Sequence, residues 1–305
     1  YLGGFYEIEN NELKNKNMEP IKIKKIQSNL SDVRILDSLI DNENIYVSYI
    51  GENNNCKNLN ISVAKINLDN LEFNDFFKSE KCSKWLQAGR MISYNHENKK
   101  GMLFTTSELT RDEPDNTPQD ESSIFGKILF IDYDTRNYIL FSKGHRNVQG
   151  IFVDKKLILA TEHGPRGGDE INKIIFKENY GWPISSYGEK YYEKNSKKSL
   201  YNKSHSALGF KEPLFAFVPS IGISEIIKLP NTFSTIFKDN FILSSLYGRH
   251  IYRVKFDKNF ERVLFKEKIY IGHRIRDIKY VDSLDLIVLA FEEEGELGII
   301  SNLEK

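Results

Sequence analysis

Short apolar runs separated by polar turns dominate the chain, and helical periodicity is scarce. Residues 45–50 and 61–68 are rich in β-branched and aromatic side chains, which favour strands. The polar residues 51–60 lie between these two runs. The pattern therefore predicts a strand, a connecting loop and a second strand.

The same arrangement recurs along the chain at intervals of roughly 30–70 residues. Further strand pairs with a polar loop between them are predicted at residues 102–106 and 126–131, 157–161 and 171–175, 241–245 and 250–254, and 286–290 and 298–300. Several pairs follow an earlier predicted strand, at residues 149–154, 224–229 and 276–281. Repeats of several short strands on this scale are typical of a β-propeller.

We therefore predict an all-β fold, a six-bladed β-propeller that forms a single domain over residues 1–305. Five units are counted, and residues 1–30 supply a first blade that is incomplete at the N-terminus. Because the chain begins with Tyr1 rather than Met, we expect it to be a mature or trimmed product. Two packed β-sandwich domains are the alternative, although no linker rich in Pro, Gly or Ser divides the chain.

Composition narrows the range of partners to be expected. Basic and acidic residues both number 43, so the formal net charge is zero, and long runs of one sign are absent. Nucleic acid and an anionic membrane surface are therefore not expected as partners. No apolar segment approaches the ~20 residues that a membrane span requires.

The two cysteines, Cys56 and Cys82, are too few for a disulfide scaffold or a cysteine zinc site. They either form one disulfide in an oxidising compartment or remain two thiols. Their spacing does not decide between these alternatives.

Residues 163–172 form the most unusual stretch, with a His, a Pro, three Gly and two acids in ten positions. Glycines allow tight turns and close approach of a ligand to the backbone. Carbonyl and carboxylate oxygens together suit a hard cation such as Ca²⁺. An ordinary polar turn is the alternative interpretation.

Two arginine motifs suggest an anionic ligand. Arg146 and Asn147 lie shortly before this loop, and Arg274 and Arg276 lie on the same face of a predicted extended segment. Guanidinium groups bind carboxylates through a bidentate fork. The alternatives are a structural arginine and a pair of salt bridges. Two long polar segments, at residues 108–123 and 187–208, are predicted to cover a site.

The motif HGPRGGDEIN at residues 163–172, followed by NYGWP at residues 179–183, resembles the soluble glucose/sorbosone dehydrogenase family. GHRNVQG at residues 144–150 and RIRD at residues 274–277 fit the same family. The resemblance implies a six-bladed propeller that oxidises a sugar C1 hydroxyl with pyrroloquinoline quinone (PQQ) and Ca²⁺.

The resemblance also implies roles for individual residues. The carbonyl groups of Gly164 and Pro165 are expected to bind the Ca²⁺ that holds the quinone, and Glu170 and Tyr180 a second, structural Ca²⁺. The expected cofactor-binding set is Arg146, Asn147, His163, Ser220, Tyr247, Arg274 and Arg276.

Three positions depart from the family pattern. Gln87 occupies the place of the general-base histidine, and an amide cannot accept a proton near neutral pH. Tyr247 stands where the family has a lysine that contacts the cofactor. Val218 replaces an aromatic residue that walls the pocket, while Ser220 still offers a hydroxyl.

Two functions therefore stay open. One is a PQQ-dependent aldose dehydrogenase with an altered proton acceptor, which takes a small-molecule sugar and passes electrons to an acceptor. The other is a catalytically inactive descendant that binds a sugar, a quinone or a protein. A Ca²⁺ propeller hydrolase fits the motifs less well. The resemblance also implies a periplasmic or extracellular location.

Overall fold

The computed structural model describes residues 5–8, 23–31, 33–53, 56–83, 87–110, 115–191, 201–234, 236–293 and 295–301. One turn of 3₁₀-helix at Ser206–Leu208 is the only helix in these ranges, and the rest of their regular structure is β-strand. The all-β prediction is therefore confirmed. None of the described helical structure is long and apolar enough to cross a membrane.

The strands group into five blade-like sheets and one small mixed sheet. The small sheet begins with β1 (Phe5–Ile8) and β2 (Ile23–Ser28). Blade 1 comprises β3 (Arg34–Asp41), β4 (Asn44–Asn53), β5 (Cys56–Lys65) and, after the short β6 (Asn70–Leu71), β7 (Asn74–Lys78). Blade 2 comprises β8 (Ala88–His96), β9 (Lys99–Thr106), β10 (Lys127–Asp132) and β11 (Tyr138–Lys143).

Blades 3 to 5 continue in chain order. Blade 3 comprises β12 (Val148–Asp154), β13 (Leu157–Glu162), β14 (Asp169–Lys173) and β15 (Phe215–Phe217). Blade 4 comprises β16 (Ile223–Lys228), β17 (Phe241–Ser245), β18 (His250–Phe256) and β19 (Val263–Tyr270). Blade 5 has three strands in the described residues, β20 (Ile275–Val281), β21 (Leu286–Phe291) and β22 (Leu297–Ser301).

Each blade is an antiparallel meander, as alternating short strands with tight turns favour. The predicted polar loop at residues 51–60 is wrong in extent. The backbone continues as strand to Asn53 and resumes at Cys56, so that β4 and β5 pair over their whole length. The polar residues 51–53 and 56–60 therefore form the end of a long hairpin that lies next to its turn.

The prediction of six blades was wrong in number, because the described residues form five. β1 and β2 pair as a hairpin, and β2 then runs parallel to β6 at Gln27 and Ser28. The next strand in the chain, β3, starts the sheet of blade 1 instead of extending that hairpin. The small sheet packs on blade 1 through Ile26, Leu71 and Phe73.

The hydrophobic core lies between neighbouring blades. One cluster joins Phe76 of blade 1 to Phe104 of blade 2, and corresponding clusters join the later blades in turn. Burial of these apolar faces stabilises the arrangement by about 25 cal/mol per Å² removed from water. The innermost strands β3, β8, β12, β16 and β20 then lie side by side around the axis.

All five innermost strands carry a β-bulge near their first residues. The pairing register shifts at the same stage of each strand, between residues 35 and 37, 88 and 91, 148 and 150, 223 and 226, and 275 and 277. A bulge re-aims a side chain at the rim of a sheet. Here the residues at or beside the bulges are polar, and they meet at the propeller axis: Asp37, Arg90, Gln149, Glu225 and Asp277.

Arg90 is the centre of this axial cluster. Its Nε donates to the carbonyl oxygen of Gln149 at 2.6 Å, and Nη1 lies 2.8 Å from Asp277 Oδ2. The same Nη1 lies 3.5 Å from one carboxylate oxygen each of Asp37 and Glu225. One buried guanidinium thus contacts a residue from each of the other four blades.

Cys56 and Cys82 form a disulfide, with their Cα atoms 5.5 Å apart. The bond links the start of β5 to the segment that follows β7. It decides between the alternatives that the cysteine spacing left open.

Candidate active site

A large cavity opens where the axial cluster meets the segments that precede the inner strands and the loops that follow the second strands of the blades. Its volume is about 1790 Å³, and Lys25 to Ser28 of the small sheet form part of one wall. This exceeds the ~300–1,000 Å³ of most small-molecule pockets, which leaves room for two ligands side by side. Ten of the residues singled out in the sequence line it: Gln87, Arg146, Asn147, His163, Gly164, Pro165, Ser220, Tyr247, Arg274 and Arg276.

The loop between β13 and β14 is held in shape by the carboxylate of Asp169. That carboxylate accepts hydrogen bonds from the backbone N–H groups of Gly164, Ile221 and Ile223 at 2.9–3.1 Å and from Ser220 Oγ at 2.8 Å. Asp169 therefore ties the Gly164 loop to the segment that precedes β16.

Gly164 is required by close packing within this loop. A Cβ atom at this position would lie 2.2 Å from the carbonyl oxygen of Gly168 and 2.3 Å from that of Gly167. Gly168 itself has a φ of +72°, a conformation that favours glycine. The glycines thus allow the backbone at residue 164 to approach the carbonyl groups of Gly167 and Gly168.

Arg146 is buried between this loop and blade 2. Its Nη1 donates to the carbonyl of Gly164 at 2.9 Å, and its Nε lies 3.1 Å from Glu108 Oε1. Trp182 Nε1 donates to the other oxygen of Glu108 at 2.8 Å. Burial raises the pKa of Glu108 to about 7, although the charge of Arg146 acts in the opposite direction.

Arg274 and Arg276 do lie on one side of their segment, and both pair with Glu292 at the end of β21. Arg274 donates from Nε at 2.8 Å and from Nη2 at 2.6 Å, and Arg276 Nη2 donates to the second carboxylate oxygen. The two arginines lower the pKa of Glu292 against the effect of its partial burial. One internal carboxylate therefore satisfies the pair of cations.

Gln87 lies at the end of a row of amides across the cavity. Asn147 Nδ2 donates to Gln87 Oε1 at 2.8 Å, and Gln149 Nε2 donates to Asn147 Oδ1 at 2.8 Å. Arg276 Nη1 donates to Gln149 Oε1 at 3.0 Å. The backbone N–H of Gln87 is fixed by Ser107 Oγ at 2.9 Å.

His163 lines both this cavity and a smaller one behind the loop. Burial lowers its pKa, so the imidazole is neutral near pH 7. Its Nε2 atom is buried and has no hydrogen-bond partner among the described residues. Such an orphaned nitrogen is the kind of group that a bound ligand or water satisfies.

The smaller cavity, of about 10 Å³, contains the two residues assigned to a structural metal, Glu170 and Tyr180. Burial and the neighbouring Glu162 raise the pKa of Glu170 well above its usual range. Asn172 donates from Nδ2 to Glu170 at 3.1 Å, and its Oδ1 atom is buried without a partner among the described residues. These oxygens suit a hard cation, but the described residues contain no group of three or more His, Cys, Asp or Glu side chains arranged for a metal ion.

The rim of the large cavity differs from its floor in exposure. Tyr247 contacts Gly222 at the cavity mouth but exposes 80% of its surface, and Val218 nearby exposes 67%. Ser220 directs its hydroxyl at Asp169 rather than into the cavity. Tyr247 is therefore a rim residue and not a deeply placed one.

The family is settled by comparison with known sequences. The family model described as "Glucose / Sorbosone dehydrogenase" matches residues 6–299. The chain belongs to the glucose/sorbosone dehydrogenase family. Its β-propeller fold and its membership in a family of oxidoreductases follow from this match.

Two curated relatives extend the family likeness to individual proteins. The chain is 31% identical over 160 residues to an uncharacterised protein of Synechocystis sp., and 27% identical over 219 residues to the aldose sugar dehydrogenase YliI of Escherichia coli. These matches cover 52% and 66% of the chain, but only 38% and 57% of the relatives. The chain thus spans less than two thirds of the length of either.

Solved structures of glucose/sorbosone dehydrogenase relatives share the fold. The apo form of the soluble aldose sugar dehydrogenase of Escherichia coli has a TM-score of 0.78 at 18% identity, over 99% of this chain and 91% of that one. The PQQ-bound form of an aldose sugar dehydrogenase from Streptomyces coelicolor has a TM-score of 0.66 at 17% identity, over 93% and 85%.

Several cavity residues of this dehydrogenase-family chain escaped sequence reasoning. Asp169 lies inside the motif that was singled out, and its place at the first residue of β14 was the available signal. Glu292 belongs to an acidic segment that reads as a solvated loop. Glu108, Gln149 and Arg90 carry no local signal, because their partners come from other blades.

Proposed function

We propose that the protein is a PQQ-dependent dehydrogenase of aldose sugars, which binds the quinone and a sugar together in the large cavity. The observation that supports this most is the convergence of Arg146, Arg274 and Arg276 on one cavity next to the Gly164 loop. A ligand with three carboxylates is matched by three guanidinium groups. The cavity volume also accommodates a sugar beside such a ligand.

The residues present fit the quinone, although two carboxylates of the protein compete with it for the arginines. Arg146 pairs with Glu108, and Arg274 and Arg276 pair with Glu292. Each arginine retains further N–H donors for a ligand, since guanidinium carries five. When bound, the quinone would supply the acceptor for a hydride from C1 of the sugar.

Calcium is proposed at the carbonyl oxygens of Gly164 and Pro165. Arg146 Nη1 donates to the first at 2.9 Å, and the hydroxyl of Tyr191 donates to the second at 2.8 Å. A carbonyl oxygen has two lone pairs, so each keeps one for a cation. Glu170 and Tyr180 are proposed to hold a second ion in the smaller cavity. Burial and Glu162 raise the pKa of Glu170, and a cation beside it would stabilise its ionised form.

A second candidate, binding without turnover, is favoured by Gln87. Its amide accepts a hydrogen bond from Asn147 and has no basic lone pair for a proton. Loss of a general base lowers a rate by typically ~10²–10⁴-fold. Under this candidate the cavity retains sugar or quinone binding while oxidation is slow or absent.

An exported location is proposed as well. The disulfide between Cys56 and Cys82 suits an oxidising compartment such as the periplasm or the extracellular space. Electrons would then pass to an acceptor that binds at the open end of the cavity.

The deciding experiment reconstitutes the purified protein with Ca²⁺ and PQQ. Quinone binding is followed by absorbance, and turnover is followed by sugar-dependent dye reduction. Binding with turnover supports the dehydrogenase, and binding without turnover supports the second candidate. Absence of quinone binding contradicts the dehydrogenase and leaves the second candidate with sugar binding alone.

The Gln87→His variant tests whether the remainder of the site is competent. We expect dye reduction to rise by about 10²-fold or more over the wild-type protein, because a neutral imidazole accepts a proton where an amide does not. Gln87→Asn serves as the matched control without a base. Equal rates in the two variants would show that position 87 does not limit oxidation.

A further inference from the structure

The row of amides across the cavity has a fixed direction. Arg276 Nη1 donates to Gln149 Oε1, Gln149 Nε2 donates to Asn147 Oδ1, and Asn147 Nδ2 donates to Gln87 Oε1. The three distances are 3.0, 2.8 and 2.8 Å. These residues come from three different blades or their entry segments, so only the assembled fold creates the row.

The direction follows from the chemistry of Arg276. A guanidinium group has N–H donors and no acceptor, so the amide beside it must present its oxygen. Gln149 then has only its NH₂ group to offer Asn147, and Asn147 has only its NH₂ group to offer Gln87. The same logic that assigns amide orientation from a network therefore settles all three side chains.

Burial makes the reverse direction costly. Gln149 and Asn147 expose only 6% and 5% of their surfaces. Reversing either amide would place N–H groups against N–H groups, at a cost of about 1–3 kcal/mol for each unsatisfied buried group. Asn147 and Gln149 are thus positioning residues that act through Gln87.

The free end of the row is the NH₂ group of Gln87. Its oxygen accepts one hydrogen bond, from Asn147, and in the part of the chain that the structure describes no acceptor receives a hydrogen bond from Nε2. Gln87 is partly buried and lines the cavity, and its backbone is held by Ser107. A donor is therefore presented to the cavity at the position where a proton acceptor would be needed for oxidation of a hydroxyl.

We infer that Gln87 is a specificity-determining hydrogen-bond donor, which selects a ligand with a carbonyl oxygen at this point over one with a hydroxyl group. The inference rests on the proposed function in taking the ligand to be a sugar. It assigns the site a preference for the oxidised form of the sugar, a lactone or its analogue. A carbonyl oxygen only accepts, so the Nε2 donor satisfies it, whereas a hydroxyl that accepts from Nε2 needs a separate acceptor for its own proton.

Two uncharged probes isolate this preference, D-glucose and D-gluconolactam, a stable analogue of the lactone with a carbonyl group at C1. Binding is measured by NMR titration of the protein at constant ionic strength. We expect the wild-type protein to bind the lactam about fivefold more tightly than glucose, as one neutral hydrogen bond of about 1 kcal/mol allows.

Gln87→Met removes the donor while keeping the length of the side chain. The ratio of the two dissociation constants is expected to fall to about 1. Asn147→Asp instead turns only the amide of Gln87, without replacing residue 87, because a carboxylate only accepts and therefore draws the NH₂ group of Gln87 towards itself. Glucose is then expected to bind more tightly than the lactam, and an unchanged ratio in Asn147→Asp would overturn the inference.

Exchange of side-chain amide protons tests the direction of the row without any sugar. The Gln87 resonance in a ¹⁵N spectrum is identified by its loss in Gln87→Met. The NH₂ protons of Asn147 and Gln149 are expected to exchange slowly and those of Gln87 rapidly. Equal protection of Gln87 would contradict the inference. If exchange follows this order but neither sugar binds, the donor stands and the proposed sugar function fails.

Discussion

Charged side chains are paired differently on the floor of the large cavity and at its rim. On the floor, Arg90 exposes only 4% of its surface and contacts residues of four other blades. At the rim, Arg274 and Glu292 pair across a partly exposed surface, with side-chain exposures of 29% and 20%. Buried charges must be matched within the fold, whereas partly hydrated ones exchange partners at lower cost.

This difference separates scaffold from binding surface. Removing a floor residue leaves buried carboxylates without a counter-charge, which affects folding. Removing the rim carboxylate Glu292 leaves Arg274 available to an anionic ligand, which affects the affinity for that ligand. Four predictions test the distinction, beginning with the largest effect.

Arg90→Met should destabilise the protein by about 3–5 kcal/mol at pH 7 in urea unfolding. The change strands Asp37, Glu225 and Asp277 in the axial cluster. The loss should be smaller as the pH falls, because burial raises the pKa of Asp37 and a protonated carboxyl group needs no counter-charge. Arg249→Met is the control, since its pair with Glu293 is about half exposed and worth under ~1 kcal/mol. Equal losses in both variants would break the comparison.

Glu292→Gln should increase the affinity for PQQ about tenfold, equivalent to about 1.4 kcal/mol. The change removes the internal carboxylate that competes for Arg274 and Arg276. Fluorescence titration in the presence of Ca²⁺ measures it, with Glu267→Gln as control, because Glu267 pairs with Arg253 away from the cavity. Weaker binding in Glu292→Gln would mean that Glu292 orients the arginines for the ligand instead of competing with it.

Stability should fall as pH rises from about 5 to about 8, with a contribution from Glu225 on the floor. Burial raises the pKa of Glu225 to about 8, so the folded protein keeps a proton that the unfolded chain has released. Glu225→Gln should flatten this slope by less than ~1.4 kcal/mol per pH unit. The exposed Glu267→Gln is the control. A slope that Glu225→Gln leaves unchanged would place the titrating group elsewhere.

Tyr247→Ala should change quinone affinity by less than about threefold and leave the midpoint of thermal unfolding within about 2 °C. Exposed surface positions usually contribute within ±0.5 kcal/mol. The side chain is 80% exposed at the rim. A larger loss of affinity in the same fluorescence titration would indicate that a bound ligand recruits Tyr247 from solvent.

Sequence reasoning recovered the strands because their pattern is local. Alternation and apolar runs located β9, β13, β17 and β21 to within a few residues. It missed the extent of the β4–β5 hairpin, where polar side chains form strands through backbone pairing alone. It overcounted the blades because a strand near residue 5 does not reveal which strand it will pair with.

The amino-acid sequence by itself determined the strand order, the glycine-rich loop at residues 163–172 and the placement of an amide at position 87. Only the tertiary structure decided the partners of Arg90, which lie as far as 187 residues away, and the direction of the amides that orient Gln87. The physical reason is that ring assembly brings bulged inner strands together at one axis. Hydrogen bonds across that axis depend on neighbours in space, which no local pattern encodes.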